Sequence, residues 1–229
     1  MTRQFLIIDA DDTLWENNIY FEEAFEEFCQ FLDHSSMTPH EIRDVLDSIE
    51  LVNARTHGYG SLNFGRNLGE CYRRLVEREV KETDLRTAMA FAERILECPM
   101  QVIEGVPETL AYLCERHELT LFTKGHPEEQ TLKIDRSGLG GYFHFTQVVK
   151  EKDTAAYRRL VEERRMDPAL TWMIGNSPKS DINPALEAGL NVVFIPHART
   201  WTLERQDLRA PGPGRLLVLR SFEDLQGVF

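Results

Sequence analysis

A buried-strand pattern leads directly into a cluster of acids near the start of the chain. Phe5–Ile8 holds four consecutive apolar residues, and Asp9, Asp11 and Asp12 follow at once. Such an apolar run is typical of a strand that is covered on both faces of a parallel sheet. Clustered carboxylates repel one another, and a hard cation such as Mg²⁺, which prefers oxygen ligands, would offset that repulsion. Open α/β sheets bind ligands at the carboxyl ends of their strands, so this segment predicts a metal-assisted active site.

The overall composition excludes several classes of partner. The 229 residues carry a formal net charge of -12, which gives no general attraction for nucleic acid or anionic membranes. No apolar stretch approaches the length of a membrane span, and the start of the chain is too short for a signal peptide. We expect a cytoplasmic monomer or homodimer with reduced thiols at all four cysteines, which are Cys29, Cys71, Cys98 and Cys114.

A long helical block follows the first strand. After Trp15 the apolar residues recur with helical spacing for about eighty residues, in four successive stripes. Thr38-Pro39-His40-Glu41 has the form of a capping box with proline at the first helical position. We therefore predict an all-helical, four-helix domain over residues 17–98.

From about residue 100 the chain alternates between helical and strand patterns, as parallel sheets require. The further predicted strands are 119–123, 145–149, 171–174, 191–195 and 216–219. The strand at Phe5–Ile8 shares their apolar character and belongs with them. The sequence thus predicts an α/β core, a three-layer Rossmann-like parallel sheet over residues 1–16 and 99–229, with the helical domain inserted after its first strand.

Four predicted strand ends carry chemically reactive side chains. They are the acids after the first strand, Thr123 to Gly125 after the second, Lys150 and Lys152 after the third, and Gly175 to Asp181 after the fourth. Because the carboxyl ends of parallel strands meet at one edge of a sheet, residues far apart in the chain should converge there.

These segments resemble the motifs of the haloacid dehalogenase superfamily. Asp9 to Leu14 is similar to the first motif, D-x-D-x-T-[LV], and Thr123 matches the Thr or Ser of the second. A lysine before the next helix is the third motif, and Gly175 to Asp181 fits the G-[DN]-S-x-x-x-D form of the fourth. The helical insertion after the first motif is similar to the C1 cap of that family. The resemblance covers nearly the whole chain.

The resemblance implies the roles of the reacting groups. Asp9 would attack phosphorus and form an aspartyl-phosphate, and Asp11 would serve as general acid and then general base. Residues two apart on an extended strand point the same way, so both carboxylates can face one phosphate. Thr123 would hold phosphoryl oxygens. The lysine–helix arrangement of the family favours Lys152 over Lys150, although Asp153 stands where that family often has proline.

The resemblance also implies a Mg²⁺ site and a cap that closes over the substrate. Mg²⁺ would be held by Asp9, the backbone carbonyl of Asp11, Asp181 and Asn176, where the family often has aspartate instead of asparagine. The candidate substrate-binding residues are Lys124 and Gly125 after the second strand, with Tyr59 and Arg66 near the glycine-rich loop of the helical domain.

We expect a Mg²⁺-dependent phosphatase that hydrolyses a small phosphorylated metabolite. A 2-haloacid dehalogenase would use Asp9 on carbon and needs neither Asp11 nor a metal. A phosphomutase or phosphotransferase would share every residue named above. A non-catalytic binding protein on the same fold is the remaining alternative, which the neutral Asn176 keeps open.

Overall fold

A six-stranded parallel sheet organises the larger of two structural units. The computed structural model describes residues 2–229, and the strand order is β3-β2-β1-β4-β5-β6, with every neighbouring pair parallel. The strands are β1 Phe5–Ile8, β2 Glu118–Lys124, β3 Phe145–Val149, β4 Thr171–Gly175, β5 Asn191–Phe194 and β6 Leu216–Val218. Ile8 pairs with Leu121 on one side and Ile174 on the other, so β1, β2 and β4 end at the same edge.

Helices cover both faces of this sheet and give it three layers. Leu6 and Ile8 pack into one apolar cluster with residues of α5 and α6, whereas Ile7 packs into a second cluster with residues of α7 and α8. These helices are α5 Val106–Cys114, α6 Pro127–Ser137, α7 Thr154–Glu163 and α8 Asn183–Glu187. The predicted Rossmann-like three-layer core is confirmed, and the alternation of side chains along β1 explains why its residues must all be apolar.

The second unit is all-helical and has its own apolar core. It comprises Asn17–Pro99, while the sheet unit comprises the chain up to Glu16 together with Met100–Phe229. The sequence predicts this domain over residues 17–98, which ends one residue earlier. Its helices are α1 Asn18–Leu32, α2 Pro39–His57, α3 Ser61–Leu75 and α4 Glu82–Glu93.

The predicted capping box opens α2. The Thr38 side chain accepts a hydrogen bond from the Glu41 backbone N–H, and the Glu41 carboxylate accepts one from the Thr38 N–H at 2.8 Å. Two N–H groups that the first helical turn leaves without backbone partners are satisfied in this way.

Within residues 2–229 no helix is long and apolar enough to span a membrane.

The four cysteines are free thiols. Burial raises the pKa of Cys71 to about 12 and that of Cys29 to about 11. Because the thiolate is the reactive form, the raised pKa values lower the reactivity of these two thiols.

Candidate active site

A buried ion cluster lies at the carboxyl edge of the sheet. The Lys152 ammonium donates to one oxygen of Asp9 and, at 2.7 Å, to one oxygen of Asp181. All three side chains are almost completely buried. Residues separated by more than a hundred positions in the chain therefore meet around a single cation, as the strand ends predicted.

Each member of this cluster is fixed by its strand. Asp9 follows β1, and its backbone N–H bonds to the Ile174 carbonyl of β4 at 3.0 Å. Lys152 lies between β3 and α7, where the Asp153 side chain accepts from the Ala156 N–H and caps that helix. The aspartate that replaces the family's frequent proline thus starts α7 by capping it.

Glycine is required at position 175 because Asp181 occupies the space of a side chain there. A Cβ on Gly175 would lie 2.3 Å from the nearer Asp181 carboxylate oxygen. That same oxygen accepts a hydrogen bond from the Ser177 N–H at 2.9 Å. Asp181 lies within a π-helical turn, Pro178–Ile182, which Ser177 caps. In the G-N-S-x-x-x-D segment the chain therefore turns back, and the Asp181 carboxylate packs against Gly175.

The cluster holds an excess of negative charge. Two carboxylates face one ammonium, which leaves one buried negative charge without compensation. Burial, followed by repulsion from Asp9, raises the pKa of Asp181 to about 7, although Lys152 opposes the shift. A bound cation would relieve this repulsion.

Neutral oxygens complete the donor set. The Thr13 hydroxyl donates to the second oxygen of Asp9 at 3.0 Å, and the side-chain oxygen of Asn176 lies 3.4 Å from the same hydroxyl. Carboxylate and amide oxygens with a net negative charge match the preference of Mg²⁺ for hard ligands. The residues present therefore fit a divalent cation held by Asp9, Asp181 and Asn176.

Asp11 has partners different from those of Asp9. One of its oxygens accepts from the Trp15 indole N–H at 2.8 Å, the other accepts from the Gln130 amide at 2.9 Å, and the Lys133 ammonium contacts both at 2.8 and 2.7 Å. Burial alone would raise the pKa of Asp11, but the charge of Lys133 and these hydrogen bonds outweigh it and lower the pKa.

Gln130 also connects Asp11 to the second motif. Its side-chain oxygen lies 3.4 Å from the Thr123 hydroxyl, and Thr123 is buried at the end of β2. A Cβ on Gly125, which has φ +148, would lie 2.8 Å from the Gln130 amide nitrogen. The Gly125 N–H donates to the Val149 carbonyl within the sheet, so Gly125 leaves room for Gln130 while its amide is engaged.

Lys124 points into a separate polar network. Its ammonium bonds to Glu204 at 2.6 Å and to the Ser180 hydroxyl at 2.8 Å, and Glu204 also accepts from the Ser177 hydroxyl at 2.6 Å. Burial would raise the pKa of Glu204, but attraction to Lys124 and the hydrogen bonds lower it below its ordinary value. This network connects the end of β2 to the loop that carries Asp181.

Three further candidates from the sequence are Lys150, Tyr59 and Arg66. Lys150 is exposed to solvent, whereas Lys152 is buried. Tyr59 and the exposed Arg66 belong to the helical unit, where the Arg66 guanidinium donates to Asn63 at 3.1 Å. Substrate binding by Tyr59, Arg66, Lys124 and Gly125 stays a prediction.

Asp12, Glu16 and His197 form a second group of side chains of the kinds that bind metals, with their possible ligand atoms within 4.8 Å of one another. The Nε2 of His197 is 3.4 Å from the Glu16 carboxylate, whereas its Nδ1 is 4.0 Å from Asp12 and accepts from the Arg199 N–H. Opposite ring nitrogens thus face different carboxylates. This arrangement connects the turn after β1 to the loop after β5.

Three residues of the site were not found from the sequence: Gln130, Lys133 and Glu204. Gln130 and Lys133 are three positions apart on α6, a spacing that puts both on one helical face. That spacing directly after the second motif is the one signal that could have indicated them, whereas Glu204 has no comparable signal.

The chain belongs to the haloacid dehalogenase-like hydrolase family, whose model matches residues 6–195. Curated protein sequences contain no match to it. Among solved structures, a haloacid dehalogenase-like family hydrolase from Xanthomonas campestris is similar at 29% identity and a TM-score of 0.81, over 99% of this chain and 94% of that one.

More distant structures share the fold and carry names of different activities. An L-2-haloacid dehalogenase from Xanthobacter autotrophicus has 15% identity and a TM-score of 0.66, over 99% of this chain and 98% of that one. A predicted phosphoglycolate phosphatase from Haemophilus somnus also has 15% identity and a TM-score of 0.66, over 100% and 99%. At this identity the likeness establishes the fold, and the reaction has to be argued from the residues.

Proposed function

We propose that this protein is a Mg²⁺-dependent phosphatase that hydrolyses a small phosphorylated metabolite through a phosphorylated aspartate. The observation that carries the proposal is the buried Asp9–Lys152–Asp181 cluster, whose uncompensated negative charge suits a divalent cation. Asp11, a second carboxylate two residues beyond Asp9, supplies the acid–base group that phosphoryl transfer to an aspartate needs.

The residues act in two chemical steps. In the first, a carboxylate oxygen of Asp9 bonds to phosphorus while the bond from phosphorus to the leaving oxygen breaks and Asp11 gives that oxygen its proton. In the second, Asp11 takes a proton from water as the water oxygen bonds to phosphorus and the Asp9 carboxylate leaves. Lys152 and Thr13 hold the two oxygens of Asp9, and their contacts fix the orientation of the nucleophile.

The reaction also requires positive charge close to the negatively charged phosphoryl group. Asp9, the backbone carbonyl of Asp11, Asp181 and Asn176 would hold Mg²⁺, which would supply a positive field for the phosphoryl oxygens. Lys152 contributes the other positive charge. Thr123, buried at the end of the neighbouring strand, supplies a hydroxyl donor for the transferred group.

A 2-haloacid dehalogenase is the second candidate. Two observations favour it: Asn176 adds no charge to the proposed cation site, and all lone pairs of Asp11 are engaged by donors. In that reaction Asp9 would attack carbon and release halide, and Asp11 would take no part.

Hydrolysis of nitrophenyl phosphate with Mg²⁺ distinguishes these candidates. We expect turnover that EDTA abolishes and Mg²⁺ restores, and that is lost in Asp9→Asn while the variant stays folded. Release of free phosphate, rather than its transfer to an added alcohol or sugar, separates the phosphatase from a mutase or phosphotransferase. Halide release from chloropropionate without phosphatase activity would refute the proposal in favour of the dehalogenase, and inactivity in both assays would indicate a binding protein.

A further inference from the structure

Two polar residues of α6 contact Asp11 from outside every sequence motif. Gln130 donates to one carboxylate oxygen at 2.9 Å, and Lys133 contacts both oxygens at 2.8 and 2.7 Å. We call Gln130 and Lys133 the α6 pair. Gln130 is buried, and only 12% of the Lys133 side chain is exposed, so solvent screens these contacts little.

The local structure is built to bring the α6 pair to this carboxylate. α6 begins at Pro127, three residues after β2 ends, and residues three apart share one helical face. Gly125 has no side chain where the Gln130 amide passes, and any Cβ there would lie 2.8 Å from the amide nitrogen. The passage of Gln130 thus explains why glycine stands at position 125.

On the basis of the phosphatase function proposed above, we propose that Gln130 and Lys133 are positioning residues for the acid–base carboxylate Asp11. They act through the Asp11 carboxylate that they contact. They hold the carboxyl group in one orientation while it gives a proton to the leaving oxygen and later takes one from water.

The hydrogen-bond count explains why a lysine suits this position. A carboxylate has about four lone-pair sites, and Trp15, Gln130 and the two contacts of Lys133 occupy all of them. If Lys133 releases one of its two contacts, one site becomes available for the proton. Trp15, Gln130 and the remaining lysine contact still hold the group in place.

The test uses two aryl phosphates that differ in their need for a general acid. Phenolate is a poor leaving group that needs a proton, whereas dinitrophenolate leaves without one. Lys133 opposes the effect of burial and lowers the pKa of Asp11, so Lys133→Met makes the carboxyl easier to protonate and a loss on phenyl phosphate reports lost orientation instead of lost acidity. We expect Lys133→Met to lower kcat/KM for phenyl phosphate by about 100-fold and for dinitrophenyl phosphate by less than about threefold. Asp11→Asn should show the same selectivity, and adding Lys133→Met to it should cost less than about threefold more, because both changes remove the same function.

Matched variants separate positioning from a general loss of structure. Lys133→Arg keeps the charge and the donors, and it should restore most of the activity on phenyl phosphate. Arg136→Met removes an exposed positive charge from the same helix and should leave both substrates unchanged. If Lys133→Met does not fold, Gln130→Leu is measured in its place, with the same selectivity expected.

A spectroscopic measurement does not depend on turnover. The Trp15 indole N–H resonance, assigned with Trp15→Phe, should shift in Lys133→Met because its acceptor Asp11 moves. Equal losses on both substrates, or additive losses in the double variant, overturn this inference and leave the phosphatase intact. If the wild-type protein hydrolyses neither phosphate, the proposed function fails and the inference fails with it.

Discussion

The ion pair between Lys124 and Glu204 allows a quantitative prediction about the scaffold of the site. The side chains are 14% and 9% exposed, and their charged atoms are 2.6 Å apart. Glu204→Gln removes the charge, keeps an oxygen for the Ser177 hydroxyl, and leaves Lys124 with the exposed Glu151 at 3.5 Å. Losing one partner of a buried pair costs about 3–5 kcal/mol, and the contacts that remain reduce this to about 2–3 kcal/mol of unfolding free energy.

The loss should depend on pH in one direction. The pKa of Glu204 is lowered in the folded protein from an ordinary value of 4.5. The stabilisation it provides is therefore fully present above about pH 4.5 and is lost as the pH falls through the lowered value. The raised pKa of Lys124 matters only above about pH 10. The difference between wild type and Glu204→Gln should be constant from pH 5 to 8 and should shrink in more acidic solution.

Urea unfolding followed by tryptophan fluorescence is the suitable assay. Trp15, Trp172 and Trp201 all lie in the sheet unit, so the signal reports that unit alone. The control is Glu187→Gln, which removes an ion pair whose two side chains are 53% and 61% exposed. It should change the free energy of unfolding by less than about 1 kcal/mol. A loss in Glu204→Gln no larger than in the control, or one that grows on acidification, would refute the reasoning.

Three further predictions concern the ion cluster. Asp153→Ala removes the N-cap of α7 and should lower the unfolding free energy by about 1 kcal/mol in the same urea assay. Gly175→Ala puts a methyl group where Asp181 lies, so Mg²⁺ should no longer raise the melting temperature of the variant as it does for wild type. Without metal the pKa of Asp181 is raised to about 7, so at pH 6 a proton competes with the cation for this carboxylate. The Mg²⁺-induced increase in melting temperature should therefore be larger at pH 8 than at pH 6. Equal increases at the two pH values would contradict the assignment of Asp181 as a metal ligand.

The sheet and its reactive edge could be predicted because both depend on local patterns. An apolar run followed by acids marks the end of β1, and parallel strands bring such ends together whatever their separation in the chain. The capping box at Thr38 is equally local. Lys152 could be preferred over Lys150 by its place before a helix, and the structure gives the physical difference, since one is buried and the other exposed.

The partners of Asp11 and Lys124 could not be predicted because they depend on tertiary placement. Lys133 reaches a carboxylate 122 positions away, and Glu204 reaches Lys124 across 80 positions. The rotation of α6 about its axis decides which polar side chains face the site. Glu204 lies in a short helical turn without periodicity, so nothing in its neighbourhood distinguishes it from a surface acid.

Identifying the covalent intermediate tests the central claim most directly. Wild-type protein mixed with nitrophenyl phosphate and Mg²⁺ and quenched in acid should carry one phosphoryl group, which fragmentation in the mass spectrometer locates on Asp9. Asp11→Asn should accumulate more of it, because the water that releases it lacks its general base. A phosphoryl group on another residue, or steady turnover with Asp9 unmodified in both proteins, would contradict the account.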